Sequence, residues 1–183
     1  GGGPAARGRG RWGGARGAGR GGGGREVGGV GRGGEPEGAA DGRGALGPDE
    51  GEYVTRLITL ATDTGVPIVG VVSVSGTDVR HGVASLVAWG RIARALVNAS
   101  GVVPICIAVI GPCAAGPALL IGIADVVVFT NDATAFVYGP AAVMGMTGEE
   151  ISQFALGGAN VHAVESGLAG LQAQDEEGAL DAI

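Results

Sequence analysis

The chain has 183 residues, a formal net charge of −6, and 40 glycines spread unevenly along it. Residues 1–48 hold 22 of those glycines and 8 of the 12 arginines against Glu26, Glu35, Glu37 and Asp41, so this stretch carries +4 and almost no large apolar side chains. It cannot bury enough surface to offset chain entropy, and the remainder, with four arginines against fourteen acids, is acidic enough to exclude a nucleic-acid groove on the folded part.

The N-terminal stretch allows three readings: a solvated flexible tail, an arginine–glycine segment that binds RNA through charge and stacking, or a non-natural reading frame of GC-rich DNA. Only Trp12 could stack there, and residues 1–43 are expected to be a low-complexity tail with few tertiary contacts. The start of the chain shows no apolar leader, which argues against secretion. The two cysteines, Cys106 and Cys113, lack metal-ligand spacing or a second pair, so a reducing cytoplasm and no metal are expected.

Leu57, Ile58, Leu60 and Ala61 fall at helical spacing and predict a first helix from about Tyr53 to a stop at Gly65. Residues 67–74 form a β-branched run typical of a strand buried on both faces, followed by a turn at Ser75 and Gly76. Residues 82–98 predict an amphipathic helix with Val83, Leu86, Val87, Ala93, Leu96 and Val97 on its apolar side and Arg91 and Arg94 toward solvent. From Gly101 to Ala124 no charge appears, a length that could span a bilayer, but Pro104, Gly111–Pro112 and Gly116–Pro117 divide it into a strand at 105–110, a turn, and a short helix at about 117–123. No membrane span is expected.

A third strand is predicted at residues 126–129, then a short apolar piece at 134–138 and a helix capped by Thr147 with Glu149 and Glu150 in its first turn. The acidic run at 175–177 opens a last helix. The βαβαβ order predicts parallel strands. Periodicity leaves a doubly wound sheet and a spiral of ββα turns tied.

The segment IGPCAAGPALL, residues 110–120, places small residues and proline where a buried strand meets a helix. Pro117 suits a first helical turn, and Ala114, Ala115 and Gly116 let another group approach the backbone. Free amides at such a junction can hold a developing negative oxygen, as on a thioester enolate; the same sequence also suits a tight turn for close helix packing. Cys113 could be imagined as a nucleophile near a helix start, but no base is placed beside it, and it reads as buried and inert. His162, in GGANVH, reads as a local hydrogen-bonding residue.

Six blocks in order, SGVVP at 100–104, GPCAAG at 111–116, YGP at 138–140, MTGEE at 146–150, LGGANVH at 156–162 and ESGLAG at 165–170, make residues 44–183 resemble the N-terminal domain of carboxyltransferase β chains of biotin-dependent propionyl-CoA and acetyl-CoA carboxylases. The resemblance implies an α/β crotonase-like superhelix of ββα turns, here lacking its first turn. It implies transfer of a carboxyl group from carboxybiotin to the α-carbon of a short acyl-CoA. By position, the backbone N–H groups of Ala115 and Gly116 would be the oxyanion donors, and Gly76, Arg80, Cys113, Ala114, Gly139 and Pro140 would line the substrate site.

Implied partners are acyl-CoA, a biotin carboxyl carrier or biotin carboxylase subunit, and a C-terminal-type carboxyltransferase domain in a homo- or hetero-oligomer; without that domain the chain holds half a site. One departure stands out. Where the family shows DSGGARIQEG, this chain reads SVSGTDVRHG at 73–82, with Asp78 in place of an arginine and Arg80 two residues on as a compensating cation. A non-catalytic scaffold subunit and a crotonase-like hydratase are the competing readings, the latter requiring a pair of carboxylates.

Overall fold

The computed structural model describes residues 45–183 and, as backbone alone, two short strands, β1 (Ala15–Arg16) and β2 (Glu26–Val27), which pair antiparallel. The rest of the expected tail lies outside the described residues. α1 (Pro48–Thr64) begins earlier than its apolar pattern suggests, because Pro48 supplies a helical φ and Glu50 reaches back to accept the Gly47 N–H at 3.1 Å. It ends at Gly65, whose φ of 68° needs no Cβ penalty.

β3 (Ile68–Val74) follows, then a 3₁₀ turn at Val79–His81, α2 (Val83–Ala99), β4 (Ile105–Ala114), α3 (Gly116–Ile121), β5 (Val126–Thr130) and β6 (Thr134–Phe136). The chain closes with α4 (Pro140–Thr147), α5 (Gln153–Gly157), α6 (Ala159–Val164), β7 (Leu171–Ala173) and α7 (Glu176–Asp181). The charge-free stretch is thus a strand and a short helix, and no helix among the described residues is long and apolar enough to cross a membrane.

The sheet runs β3-β4-β5-β7 and every one of these pairs is parallel, as the βαβαβ order requires. β4 extends four residues beyond its predicted end because it has two successive partners: Cys106–Val109 pairs with β5, and Pro112–Ala114 pairs with β6. Alternate residues of β4 serve opposite faces. Ile105, Ile107 and Val109 join the main core with Ile58, Trp89, Ile92, Leu96 and Phe129, whereas Ala108 packs with Val128 beneath Ala179 of α7. Both faces are covered, which is why the strands read as continuous apolar runs.

Two expectations need correction. α2 buries Ser85, Ala88, Trp89, Ile92, Ala95, Leu96 and Ala99, while Val83 (74% exposed), Leu86 (66%), Val87 and Val97 face outward. On that face Ala88 lets α2 seat closely on α1, where a Cβ on Gly51 would stand 2.5 Å from that of Ala88, while Trp89, Ile92 and Leu96 beside it fill the main core, so this face wins over the one carrying Val83, Leu86, Val87 and Val97. Thr147 does not begin a helix; it ends α4, which starts at Pro140 and stops at Gly148 with φ 77°. The following helix is capped instead by Ser152, whose Oγ accepts the Ala155 N–H at 3.1 Å. The acidic start of the last helix stands as expected, with Asp175 accepting the Gly178 N–H at 2.9 Å.

The end of α5 presses on β6. A Cβ at Gly157 would sit 2.0 Å from the Ala135 carbonyl oxygen, a distance no side-chain rotation relieves. Gly157→Ala is therefore expected to lower unfolding free energy by about 1–3 kcal/mol, measured as a fall in urea midpoint at unchanged slope.

Candidate functional site

The site forms where β3 and β4 end side by side. Between Val72 and Val74 the β3–β4 register slips, from Val72 opposite Val109 to Val74 opposite Cys113, so β4 carries extra residues at this point. Gly111 lies there because a Cβ would meet Ser73 Oγ at 2.5 Å. Beyond β3 the chain turns at Gly76, whose φ of 129° is a glycine conformation. A Cβ on Gly76 would lie 3.7 Å from the Ala114 oxygen and 3.8 Å from the Ala115 Cβ, so the two turns touch.

Ala115 has φ 60° and ψ −132°, the one non-glycine with positive φ among the described residues. Its N–H donates to the Phe136 carbonyl of β6 at 3.0 Å, and its own carbonyl accepts the Ala118 N–H at 3.1 Å. The Ala115 amide is thus committed to β6, which corrects the expectation that both amides stand free. The Gly116 N–H has no acceptor among the described residues, and neither does that of Gly76. Pro117 offers no donor, so Gly116 is the last amide before α3 continues. Beneath the turn lies buried Trp89, with ring atoms 3.5–3.8 Å from where a Gly116 Cβ would be.

Gly76, Ala114, Ala115 and Gly116 are therefore brought together. Gly139 packs against Phe136, whose ring edge lies 3.6 Å from a Cβ built on Gly139, and Pro140 follows as the first residue of α4. Cys113 does not join them. It is 0% exposed, and burial pushes its thiol up to about 12, so its side chain neither touches a ligand nor supplies a thiolate. Cys113 serves the core instead, paired in register with Val74 and Ala135.

Arg80 is placed differently from the simple compensation expected. Its Nε and Nη2 grip the buried Asp78 carboxylate at 2.9 and 2.7 Å, and its backbone N–H donates to Asp78 Oδ1 at 3.0 Å. The side-chain bond from Arg80 is the main cause that holds the Asp78 carboxyl down at about 2, from an ordinary 3.8, with the Arg80 backbone bond next. Asp78 and Arg80 thus neutralise one another, and the Asp78 charge is spent within the 3₁₀ turn. Ser85 Oγ donates to the Asp78 carbonyl at 2.8 Å and ties the same turn to α2.

No carboxylate pair for hydratase chemistry forms from the acids considered. Asp78 follows the carboxyl end of β3, whereas Asp125 accepts the Ile105 N–H at 2.8 Å at the opposite end of the parallel sheet. No group of three or more His, Cys, Asp or Glu among the described residues could hold a metal ion. Sequence reasoning missed Phe136 and Trp89. The first acts through its backbone oxygen, and the second arrives from 26 residues upstream of Ala115 without a local signal.

Two outcomes follow. Ala115→Gly removes a side chain from a positive-φ position and is expected to stabilise the chain by about 1 kcal/mol in urea unfolding. For Asp78, a depressed folded-state pKa adds stability above an unfolded value near 3.8 that disappears as pH falls toward 2. The stability gap between the native chain and Asp78→Asn should therefore be flat above about pH 5 and close between about pH 4 and 2.

A family model described as the carboxyl transferase domain matches residues 41–183. The propionyl-CoA carboxylase carboxyltransferase subunit of Haloferax mediterranei is 36% identical over 141 residues, covering 76% of this chain and 27% of that protein. The propionyl-CoA carboxylase beta chain of Saccharopolyspora erythraea is also 36% identical over 141 residues, covering 76% of this chain and 26% of its own length. The chain spans about a quarter of the length of these curated relatives. A structure of transcarboxylase 12S with methylmalonyl-coenzyme A and methylmalonic acid bound matches with a TM-score of 0.74 at 32% identity, over 75% of this chain and 27% of that one. The fold is crotonase-like α/β, which breaks the tie left by periodicity. With most of its length matched by the family model, the chain belongs to the carboxyl transferase domain family.

Proposed function

We propose that residues 44–183 form the acyl-CoA-binding part of a biotin-dependent carboxyltransferase, working in the cytoplasm on a short acyl-CoA. The single observation that carries this reading is the Gly116 amide, open beside Gly76 and backed by Trp89, at the end of the strand that the carboxyl transferase family match includes. An amide held by strand, turn and packed indole costs little reorganisation when charge develops on an oxygen facing it.

The donor set suits a thioester. The Gly116 N–H, with that of Gly76 on the adjacent turn, polarises the carbonyl and stabilises the enolate oxygen as the α-carbon becomes nucleophilic. Ala114 and Ala115 keep the approach open because their side chains are small, and Gly139 and Pro140 set the far wall. Arg80, half exposed while it grips Asp78, lies at the rim as a contact for the anionic part of coenzyme A. Biotin on a separate carrier protein supplies the carboxyl group. The pocket for its ureido oxygen is assigned to a C-terminal-type carboxyltransferase domain, in the same or a partner subunit of a homo- or hetero-oligomer.

A scaffold role has one observation in its favour, the engagement of the Ala115 amide by Phe136, which leaves fewer open donors than a two-amide pocket on residues 115 and 116 would have.

The test separates binding from turnover. Propionyl-CoA should bind the 183-residue chain in calorimetry, and carboxyl transfer from carboxybiotin should require addition of a family-type C-terminal domain. An amide-to-ester exchange at position 116 should then cut turnover by on the order of 10²–10³, whereas Gly116→Ala, whose Cβ meets only ordinary contacts, should keep most of it. Absence of acyl-CoA binding together with absence of transfer in the reconstituted pair would support the scaffold role.

A further inference from the structure

We propose that His162 is a positioning residue for the 114–116 turn, acting through β6; this rests on the reading of that turn as the thioester site. His162 sits in α6, and its ring bonds to Ala135 and Ser166 and not to residues 114–116. Its Nε2 lies 2.8 Å from the Ala135 carbonyl oxygen. A carbonyl only accepts, so Nε2 carries the proton. The other nitrogen, Nδ1, lies 2.8 Å from Ser166 Oγ, which donates to it when the ring is neutral. The ring also packs against buried Phe129, with centroids 5.0 Å apart and planes tilted by 42°. Three contacts thus fix one imidazole in one orientation.

What the ring holds is the strand that governs the turn. β6 has only three residues and pairs through Pro112–Thr134, Cys113–Ala135 and Ala114–Phe136 with the last three of β4. The residue after β4 continues the contact, since the carbonyl of Phe136, the last residue of β6, accepts the Ala115 N–H. One peptide unit therefore separates the carbonyl that His162 grips from the carbonyl that holds Ala115 at φ 60°. A conformation that an alanine resists persists only if its neighbours impose it. A three-residue strand is a weak constraint unless its far side is anchored. Gly157 against Ala135 and the Thr134–Gly158 bridge supply packing and pairing there, and His162 supplies the side-chain hydrogen bond. Loss of that bond loosens β6, then the Ala115 hydrogen bond, and then the direction of the adjacent Gly116 amide.

The test compares the full chain with His162→Ala, His162→Gln and Ser166→Ala. Gln places an amide donor near the Nε2 position and so preserves the bond to Ala135, while Ala removes it. Three quantities are read: amide exchange at Ala115, the dissociation constant for propionyl-CoA in conditions where each variant is folded, and the urea midpoint. In His162→Ala, Ala115 exchange should accelerate and propionyl-CoA affinity fall, each by about tenfold, and His162→Gln should restore both. Ser166→Ala should give a smaller shift in the same direction and keeps the test open if His162→Ala does not fold. A lowered urea midpoint with Ala115 exchange unchanged relative to the rest of β4 would overturn the proposal, as would equal losses in the Ala and Gln variants. If the native chain binds no propionyl-CoA, the function reading fails while the exchange measurements still decide the positioning role.

Discussion

β4 has to satisfy two sets of neighbours along a single strand, and the candidate site depends on how it does so. Its first half is locked into a parallel sheet with β3 and β5, where Ile105, Ile107 and Val109 are buried on one face and Ala108 on the other. Past Val109 the partner on one side changes to β6 and the register with β3 slips, so the strand leaves the regular ladder and is paired again from Pro112 onward. That handover permits Gly111, Ala114 and Ala115 to adopt positions a continuous sheet would forbid, and it delivers the Gly116 amide to the surface with its back to Trp89. Backbone donors inside a fold are seldom left unpaired, and an amide left open at the end of such a constrained strand can receive an acceptor from outside the chain.

Electrostatics at the neighbouring turn follow the same logic of local closure. A carboxylate as enclosed as Asp78 persists only if its charge is answered, and Arg80 answers it with two side-chain nitrogens and a backbone amide. The pair shapes the 3₁₀ turn and, through Ser85, the start of α2. The substitution that separates this turn from the family pattern is thereby absorbed into structure, and the Arg80 guanidinium is oriented by it.

The packing also explains which apolar residues are left outside. α2 turns inward the face on which Ala88 allows close approach to α1 and Trp89, Ile92 and Leu96 fill the core, so close packing and the burial of its largest side chains coincide there. Val83, Leu86, Val87 and Val97 are consequently exposed on a chain that spans about a quarter of its relatives' length.

Several features were legible in the residues alone. The β-branched runs at 68–74, 105–110 and 126–129 could hardly be anything but strands buried on both faces, and Gly65 and Asp175 marked helix ends by chemistry that acts within a few residues. The six ordered blocks carried the family, and with it the superhelical fold. Local sequence also pointed to the turn at 114–116, since small residues and a proline between a strand and a helix have few other uses. What it could not supply was the fate of each donor. Ala115 is bonded by a carbonyl 21 residues further on, Gly116 is floored by an indole 27 residues back, and Cys113 is sealed from the site by strands on both sides. Helix and strand periods are set by near neighbours, so the sequence determined them; whether an amide is free or a thiol is buried depends on groups distant along the chain, and only the tertiary structure decided those.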